Sequence, residues 1–515
     1  MVLGTETFLA QNSQPLSLLD KASAMDVPTI RDQQFWAAIE KSKGIYTFPS
    51  SYTAYMARAK ALGISVLVVL EWGNPLYDRT GSYLNTPYTD AGREAFANYA
   101  VAVLKQYGQQ IKTVEIWNEY NGGTFVDGPA LFDQRHYYVL MLKAAYDAIK
   151  AVRPDVTVLA GATAGIPLPF FDAIFQYGAL SYCDGISVHA YAGFAEGVDV
   201  DIAELRALMQ RHGVIRPIYV TEFGTGGQSG FLIKESTLLS SASVVAAYWY
   251  EFLGTNSPAT ALVDSDLNET SIGREYVQML SLLALGNPAR SVTSDPTIYH
   301  YVFGGPGRDA HVIWGGLGQT IVISGAHQTT DSEGNRIADP STLPNVPIIV
   351  EGDGNEIVKT TPAKYVADTR IDFGKPQWSY WDKRGDTLTS LSELWNWYSF
   401  YRGDYRYQYL ALSPAGGHPG GITVFERYTS SSAGNFQASG FWQVASKRSN
   451  GVIAFIARNG MVVWSQIVRG GGMVRIKDQP IGPVTAGDTI DIGLSNNPPD
   501  LGYDTTDFEI TISDH

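Results

Sequence analysis

Up to about Leu285 the chain alternates short apolar runs with longer stretches whose apolar residues recur every three or four positions. That alternation is the pattern of βα units wound around a parallel sheet. Strand-like runs surround Thr29-Ile30 and cover ISVLVVL from Ile64 to Leu70, TVEIW from Thr113 to Trp117 and VTVLA from Val156 to Ala160. Others are GISVH from Gly185 to His189, PIYVTE from Pro217 to Glu222 and VVAAYWYEF from Val244 to Phe252. A first strand is expected near Thr7 to Ala10. Helical spacing fills Tyr52 to Leu62, Asp90 to Tyr107, Phe132 to Val152, Asp201 to Arg211 and Gly273 to Leu285. Eight strands over this length predict a (β/α)8 barrel, for which about 250 residues is usual.

After Asn287-Pro288 the helical spacing stops. Short β-rich pieces such as HVIWGG, QTIVIS and VPIIVEG follow, separated by polar turns that include Asp331-Ser332-Glu333-Gly334-Asn335. From roughly Thr360 the strand-like strings GVIAFIARNG, MVVWSQIV and DFEITIS continue, broken by PAGGHPGG and SNNPPD. The predicted fold is therefore α/β, a (β/α)8 TIM barrel followed by two all-β sandwich domains. The expected divisions are residues 1–285, 286–358 and 359–515, the last resembling a jelly roll. For that last segment, carbohydrate binding and a purely structural or oligomerising role are both open.

Composition narrows the function classes. Hydrophobic residues make up 45% and charged residues 17% of the 515, with 52 Gly and 25 Pro, which suits a turn-rich globular protein. The 37 basic residues against 51 acidic ones give a net charge of −14 without any basic run, so a nucleic-acid or anionic-membrane partner is not expected. No apolar run approaches the roughly 18 residues that a membrane span needs. Cys183 is the only cysteine, which excludes an intrachain disulfide, a cysteine-rich zinc site and an iron-sulfur cluster. The N-terminal string MVLGTETFLAQNSQ lacks the basic and apolar regions of a signal peptide. A protein acting outside the cell is then expected to be trimmed, exported by another route, or carried on a virion.

In a barrel of this kind the chemistry sits where the strands end. TVEIW ends in Asn118-Glu119, PIYVT in Glu222, and GISV in His189 with Tyr191 beyond; ISVLVVL runs into Glu71-Trp72-Gly73-Asn74, VPTI into Arg31, and the last run carries Trp249. Two carboxylates at the ends of opposed strands are the equipment for glycosidic bond cleavage, one protonating the leaving oxygen and the other attacking the anomeric carbon or activating water. Glu119 and Glu222 are the candidates. Arg31 and Tyr191 would hold one glutamate ionised while the other stays protonated, and Trp72 and Trp249 would stack on sugar rings. Each has a bland reading: a strand-end glutamate as a solvated cap, His189 as a backbone-bonded imidazole, Trp249 as core, Arg31 as a scaffold ion pair. Their conjunction favours a site. Asp264-Ser265-Asp266-Leu267-Asn268 with Glu275 begins like a calcium loop, but Glu269 stands where the turn needs glycine. No zinc helix, phosphate loop, dinucleotide fingerprint or serine nucleophile elbow is present, so hydrolysis without metal or cofactor is expected.

Trp117-Asn118-Glu119, His189-Ala190-Tyr191 and Thr221-Glu222-Phe223-Gly224, each after a strand and in this order, resemble the clan-A retaining glycoside hydrolases. IRDQQFWAAIEKSKGIYTFPSSY and LVVLEWGNPLYD extend the likeness, which is nearest to family 39 and its exopolysaccharide-degrading relatives. The resemblance implies Glu119 as general acid/base, Glu222 as nucleophile and Asn118 on the sugar 2-hydroxyl, with Arg31, His189 and Tyr191 supporting nucleophile and ring. It also implies a small β-sandwich after the barrel. The usual first-strand motif is not evident in GTETFLAQNSQ. The functional expectation is an endo-acting polysaccharide hydrolase, with an exo-acting β-xylosidase-like enzyme and a non-catalytic polysaccharide-binding or phage-tail adhesion protein as alternatives.

Overall fold

The computed structural model describes the chain apart from residues 13–14, 192–194, 225–228, 291–296, 306–307, 316–318, 326, 353–357, 361–363, 394–401, 405–409, 415, 445, 499–501 and 515. Eight strands close into a barrel in chain order: β1 (Val2–Glu6), β2 (Thr29–Phe35), β3 (Ser65–Glu71), β4 (Ile111–Ile116), β5 (Thr157–Ala164), β6 (Gly185–His189), β7 (Ile218–Phe223) and β8 (Ala246–Trp249). Every neighbouring pair is parallel, and β8 returns to β1. Helices on the outside follow each strand: α1 (Ser17–Ala24), α2 (Ser50–Leu62), α3 (Asp90–Tyr107), α4 (Gln134–Val152), α5 (Leu168–Gln176), α6 (Val198–Arg211), α7 (Phe231–Ser241) and α8 (Ser271–Ala284).

Strand alternation sorts the side chains into two cores. Along β3, Val66, Val68 and Leu70 pack outward under the helices, while Leu67 and Val69 join Leu159, Ala246 and Tyr248 inside the barrel. Gly4 of β1 is a glycine for a steric reason, since a Cβ there would lie 2.7 Å from both Thr29 and the Tyr248 ring. The apolar plug fills the lower barrel. Polar residues on the same inward rows, Glu6, Arg31, Gln33 and Glu115, come above it and are likewise buried.

The first strand is not where the hydrophobic pattern put it. Residues 7–10 turn away after β1 into a short helix, Leu9–Asn12, because the buried Asp32 carboxylate captures the Leu9 and Ala10 N–H groups at 2.7 and 3.1 Å and the Thr7 hydroxyl at 2.6 Å. The eighth run is also shorter than VVAAYWYEF suggests, with only Ala246–Trp249 in the sheet.

Beyond the barrel the strands are antiparallel. A five-stranded sheet takes the order Ala289–Arg290, Tyr299–Gly305, Arg308–Trp314, Ile348–Gly352, His327–Thr330, and Ile321–Ile323 pairs separately with Val358–Thr360. Its Tyr299, Tyr301, Phe303 and Trp314 belong to the same hydrophobic core as the barrel. The C-terminal strands form two further sheets around a separate core that includes Trp442, Ile492 and Ile510. Leu168 at the start of α5 packs against both cores, which places this sandwich against the C-terminal rim of the barrel.

One buried carboxylate ties the three parts together. Glu196, in the segment between β6 and α6, accepts from Lys234 of α7 at 2.7 Å and from the Trp314 indole at 2.9 Å, and lies 3.7 Å from Arg370, which also pairs with Glu509 at 2.9 Å. Lys234 in turn reaches Asn345 at 3.1 Å. Removing one member of a buried pair strands the others' charge, so Glu196→Ala is expected to destabilise the protein by about 3–5 kcal/mol. Chemical denaturation checks this; a loss below about 1 kcal/mol, the size of an exposed ion pair, would show that the junction is held by apolar contact alone.

Candidate active site

The inward rows of four strands converge on one guanidinium. Arg31 donates from Nε to Glu115 at 2.8 Å, from Nη1 to both Glu6 and Glu222 at 2.7 Å, and from Nη2 to the Asn118 side-chain oxygen at 3.0 Å. Register places them there: Glu6 pairs with Arg31, Arg31 with Leu67, and Glu115 lies beside Val69 and Leu159. Gln33, two residues up β2, donates to the second Glu6 oxygen at 2.6 Å. Burial disfavours charge on Arg31, but Glu115, Glu6 and Glu222 more than offset it, so it stays a cation.

Glu119 sits just past β4 on a strained turn. Its backbone is left-handed at φ 45°, ψ 45°, as is that of Trp117 at φ 71°. Such conformations cost on the order of 1–3 kcal/mol each in a non-glycine residue. The turn is held by the Glu119 N–H donating to Ala162 at 2.6 Å and by Gly122 donating back to Glu119 at 3.1 Å. The effect is to lift the carboxylate into the space above the barrel, with its side chain 21% exposed.

His189 and Tyr191 complete the constellation. His189 Nδ1 lies 3.0 Å from Glu119 and 3.5 Å from Glu222, and Tyr191 donates to Glu222 at 2.6 Å. One oxygen of each glutamate and His189 Nδ1 all lie within 4.8 Å of one another. A pair of carboxyl groups that close matches the roughly 5–5.5 Å of retaining glycosidases better than the 6.5–9.5 Å of inverting ones. These three are the one grouping of metal-ligand type among the described residues. With Arg31 at 2.7 Å from Glu222, positive charge is already supplied there by the protein. The calcium-like string is arranged differently: Asp264 accepts from the Asp266 and Asn268 N–H groups, each at 2.9 Å, while Glu275 accepts from Gly230 at 2.6 Å and Ser332 at 2.9 Å.

Protonation follows from this geometry. Burial alone would lower His189, but the charges of Glu222 and Glu119 and the Glu119 hydrogen bond raise it above its ordinary value. Burial pushes Glu119 up, yet the His189 hydrogen bond and charge, helped by Arg31, bring it below the usual carboxylate range. Burial holds the Tyr191 phenol protonated, with Glu222 adding to the effect, which keeps it a donor. Two more carboxyls belong beside these: Glu6, which the strand-end reading did not reach, and Glu71, which it named without a role. Burial, reinforced by Glu222, drives Glu6 well above the ordinary range despite Arg31, and burial raises Glu71 to about 8.

The remaining sequence candidates are distributed differently. Asn118 faces the site, with its oxygen on Arg31 and its amide NH2 without a partner among the described residues. Trp72 is half-buried, stacked on Phe125 at 5.3 Å and edge-on to Trp117 at 5.4 Å. Asn74 is not brought to the site: its amide donates to the Glu40 carbonyl at 2.8 Å and accepts from Leu76 at 3.0 Å, closing the loop after β3. Trp249 is not brought there either. It lies in the outer core against Phe223 at 5.2 Å, and its indole donates to Thr260 at 2.7 Å. Alternation along β8 is the reason: Ala246 and Tyr248 point inward, so the next residue of that row is Tyr250, which meets Tyr191 edge-on at 6.0 Å.

No protein-family profile and no curated protein matches the sequence. Solved structures do. A family 39 glycoside hydrolase from the gut symbiont Bacteroides cellulosilyticus WH2 superposes with a TM-score of 0.57 at 20% identity, over 68% of this chain and 80% of that one. A family 39 β-xylosidase from Caulobacter crescentus gives 0.51 at 14% identity, over 69% of this chain and 96% of that one. The chain has the fold of the family 39 glycoside hydrolases. At such identities the likeness is one of architecture, and within the family 39 fold the side chains around Arg31 carry the chemical argument.

Glu6 is the test of that argument, because it shares Nη1 of Arg31 with Glu222. Glu6→Ala is expected to lower kcat about tenfold or more by freeing Arg31, as loss of a charge-assisted bond costs roughly 1.5–3 kcal/mol. Glu6→Gln, which keeps an acceptor, should recover most of it. Steady-state kinetics on both variants, with circular dichroism to confirm folding, checks this; equal losses would mean that charge rather than placement is what Glu6 supplies.

Proposed function

We propose that this protein is a retaining glycoside hydrolase that cleaves a polysaccharide internally, with Glu222 as nucleophile and Glu119 as acid/base. The approach of the two carboxylates to within 4.8 Å carries this reading. In the first step a Glu222 oxygen bonds to the anomeric carbon as the bond to the leaving oxygen breaks, and Glu119 delivers a proton to that oxygen. In the second step Glu119, now a carboxylate, takes a proton from water, whose oxygen displaces Glu222 from the anomeric carbon.

The proton's resting place is consistent with this cycle. Glu119 and His189 share a hydrogen bond, and the charge of Glu222 is the strongest influence keeping the proton on His189. Attack by Glu222 consumes that charge. His189 then loses its main stabilisation as a cation, and the proton passes to Glu119 and onward to the leaving oxygen. Arg31 and Tyr191 hold Glu222 oriented before attack, and the amide of Asn118, unpartnered among the described residues, is placed to bond a sugar hydroxyl. The β modules beside the barrel favour a polymer as substrate; internal cleavage is the finer part of the proposal.

Glu222→Gln is expected to lose more than about 10⁴-fold in kcat, and Glu119→Gln about 10²–10⁴-fold. With an aryl glycoside bearing a good leaving group, Glu119→Gln should accumulate a glycosyl adduct on Glu222, visible by intact-protein mass spectrometry. Full activity in both variants would refute the site. Product sizing on bacterial exopolysaccharides and β-linked glycans tests the mode of action: early oligosaccharides support internal cleavage, monosaccharide alone would establish exo action, and binding without new reducing ends would establish an adhesion protein.

The pH dependence has a definite sign. His189 has a raised value and must carry its proton, so kcat/KM should fall as pH rises through an apparent pKa above about 6.5. His189→Asn should abolish or shift that alkaline limb while leaving the fold intact. A limb unmoved by the substitution would remove His189 from the proton's path.

A further inference from the structure

A cavity of about 320 Å³ lies where the barrel, the five-stranded sheet and the C-terminal sandwich meet. Its size falls at the lower end of ligand pockets, which favour domain interfaces. Glu196, Tyr299 and Trp314 border it on one side, and Phe441, Arg475 and Glu509 on the other. It is close to the active site. Glu196 is five residues after Tyr191, and an extended chain spans at most about 3.6 Å per residue, so their Cα atoms are no more than about 18 Å apart.

The charges within it are unevenly settled. On the inner side Glu196 is engaged by Lys234, and Glu509 by Arg370, so two acids meet two bases. At the mouth, Arg475 and Lys477 stand on alternate positions of one strand, both exposed and neither in an ion pair among the described residues. The Arg475 guanidinium lies over the Phe441 ring at 5.5 Å. The neighbouring Asp478 is occupied by Ser439, whose hydroxyl donates to it at 3.4 Å. In a chain of net charge −14 this mouth is a local positive surplus. Hydroxyl and amide groups of Ser439, Thr297 and Asn345 line the remaining wall.

We propose that this cavity is a second saccharide site that takes an acidic sugar unit, with the sugar carboxylate at Arg475 and Lys477 and the ring inside the cavity. Cations at the mouth suit a carboxylate, and the hydroxyl-lined wall suits the polar edge of a pyranose. The choice of a saccharide rests on the glycosidase reading; the charge and the shape do not. An acidic polymer held here while a neighbouring stretch lies over Glu119 and Glu222 would gain from two linked contacts.

The test is calorimetric titration of the full chain carrying Glu222→Gln with trigalacturonate, and with xylotriose as the neutral probe. Trigalacturonate is expected to bind more tightly than xylotriose, and more weakly at high salt. Adding Arg475→Gln and Lys477→Gln should weaken it about tenfold or more and leave xylotriose unchanged. Ser439→Trp, which fills the cavity, should have the same effect by a different route. Unchanged trigalacturonate affinity in both variants, or no binding at all, would overturn the proposal. Turnover of a neutral aryl glycoside by the same mouth variants, with Glu222 restored, keeps the two readings separable. Loss of acidic-ligand binding with turnover intact supports the cavity alone, and absence of turnover in every form refutes the glycosidase reading without touching the binding result.

Discussion

A single guanidinium inside a closed barrel has to answer for three carboxylates. Glu6, Glu115 and Glu222 all bond to Arg31, and none of the four is open to bulk water to any large extent. One cation cannot balance three anions in a medium that solvates charge poorly. Burial, reinforced by Glu222, pushes the Glu6 carboxyl well above its ordinary range, and the charges of Glu222 and Glu119 raise His189 above its own. Around this arrangement the rest falls into place, with the apolar plug of Leu67, Val69, Leu159 and Tyr248 closing the barrel below and the strained turn at Glu119 lifting the second carboxylate above.

Much of this was legible in the chain. Parallel strands buried on both faces read as continuous apolar runs, so the place where each run stopped located Glu119, His189 and Glu222 without any view of the fold. Arg31 was found the same way. The reading lost its hold where the signal depended on one residue of register. Trp249 and Tyr250 are adjacent aromatics, and only the inward position of Tyr248 decides which of them faces the site. Asn74 looked like a strand-end polar group, but a loop carbonyl and a loop N–H already claim its amide.

Glu6 was missed for a different reason. The pattern assigned the first strand to the apolar residues after it, whereas Asp32 draws those residues into a helix start and leaves Glu6 as the end of β1. A buried carboxylate on a neighbouring strand therefore moved an element boundary. α7 was invisible to periodicity because it lacks a polar stripe: its residues from Phe231 to Ser240 are buried on every side.

The complete enclosure of α7 changes what the word module means for this chain. In an independent barrel the helix after the seventh strand presents a solvated outer face. Here that face carries Lys234, committed to Glu196 and Asn345, and the fully buried Glu235. The barrel and the sheet that follows it share one core. Cutting the gene at the end of α8 would leave a helix designed for an interior facing water, so the boundaries that sequence texture marks are not lines along which the folded protein separates.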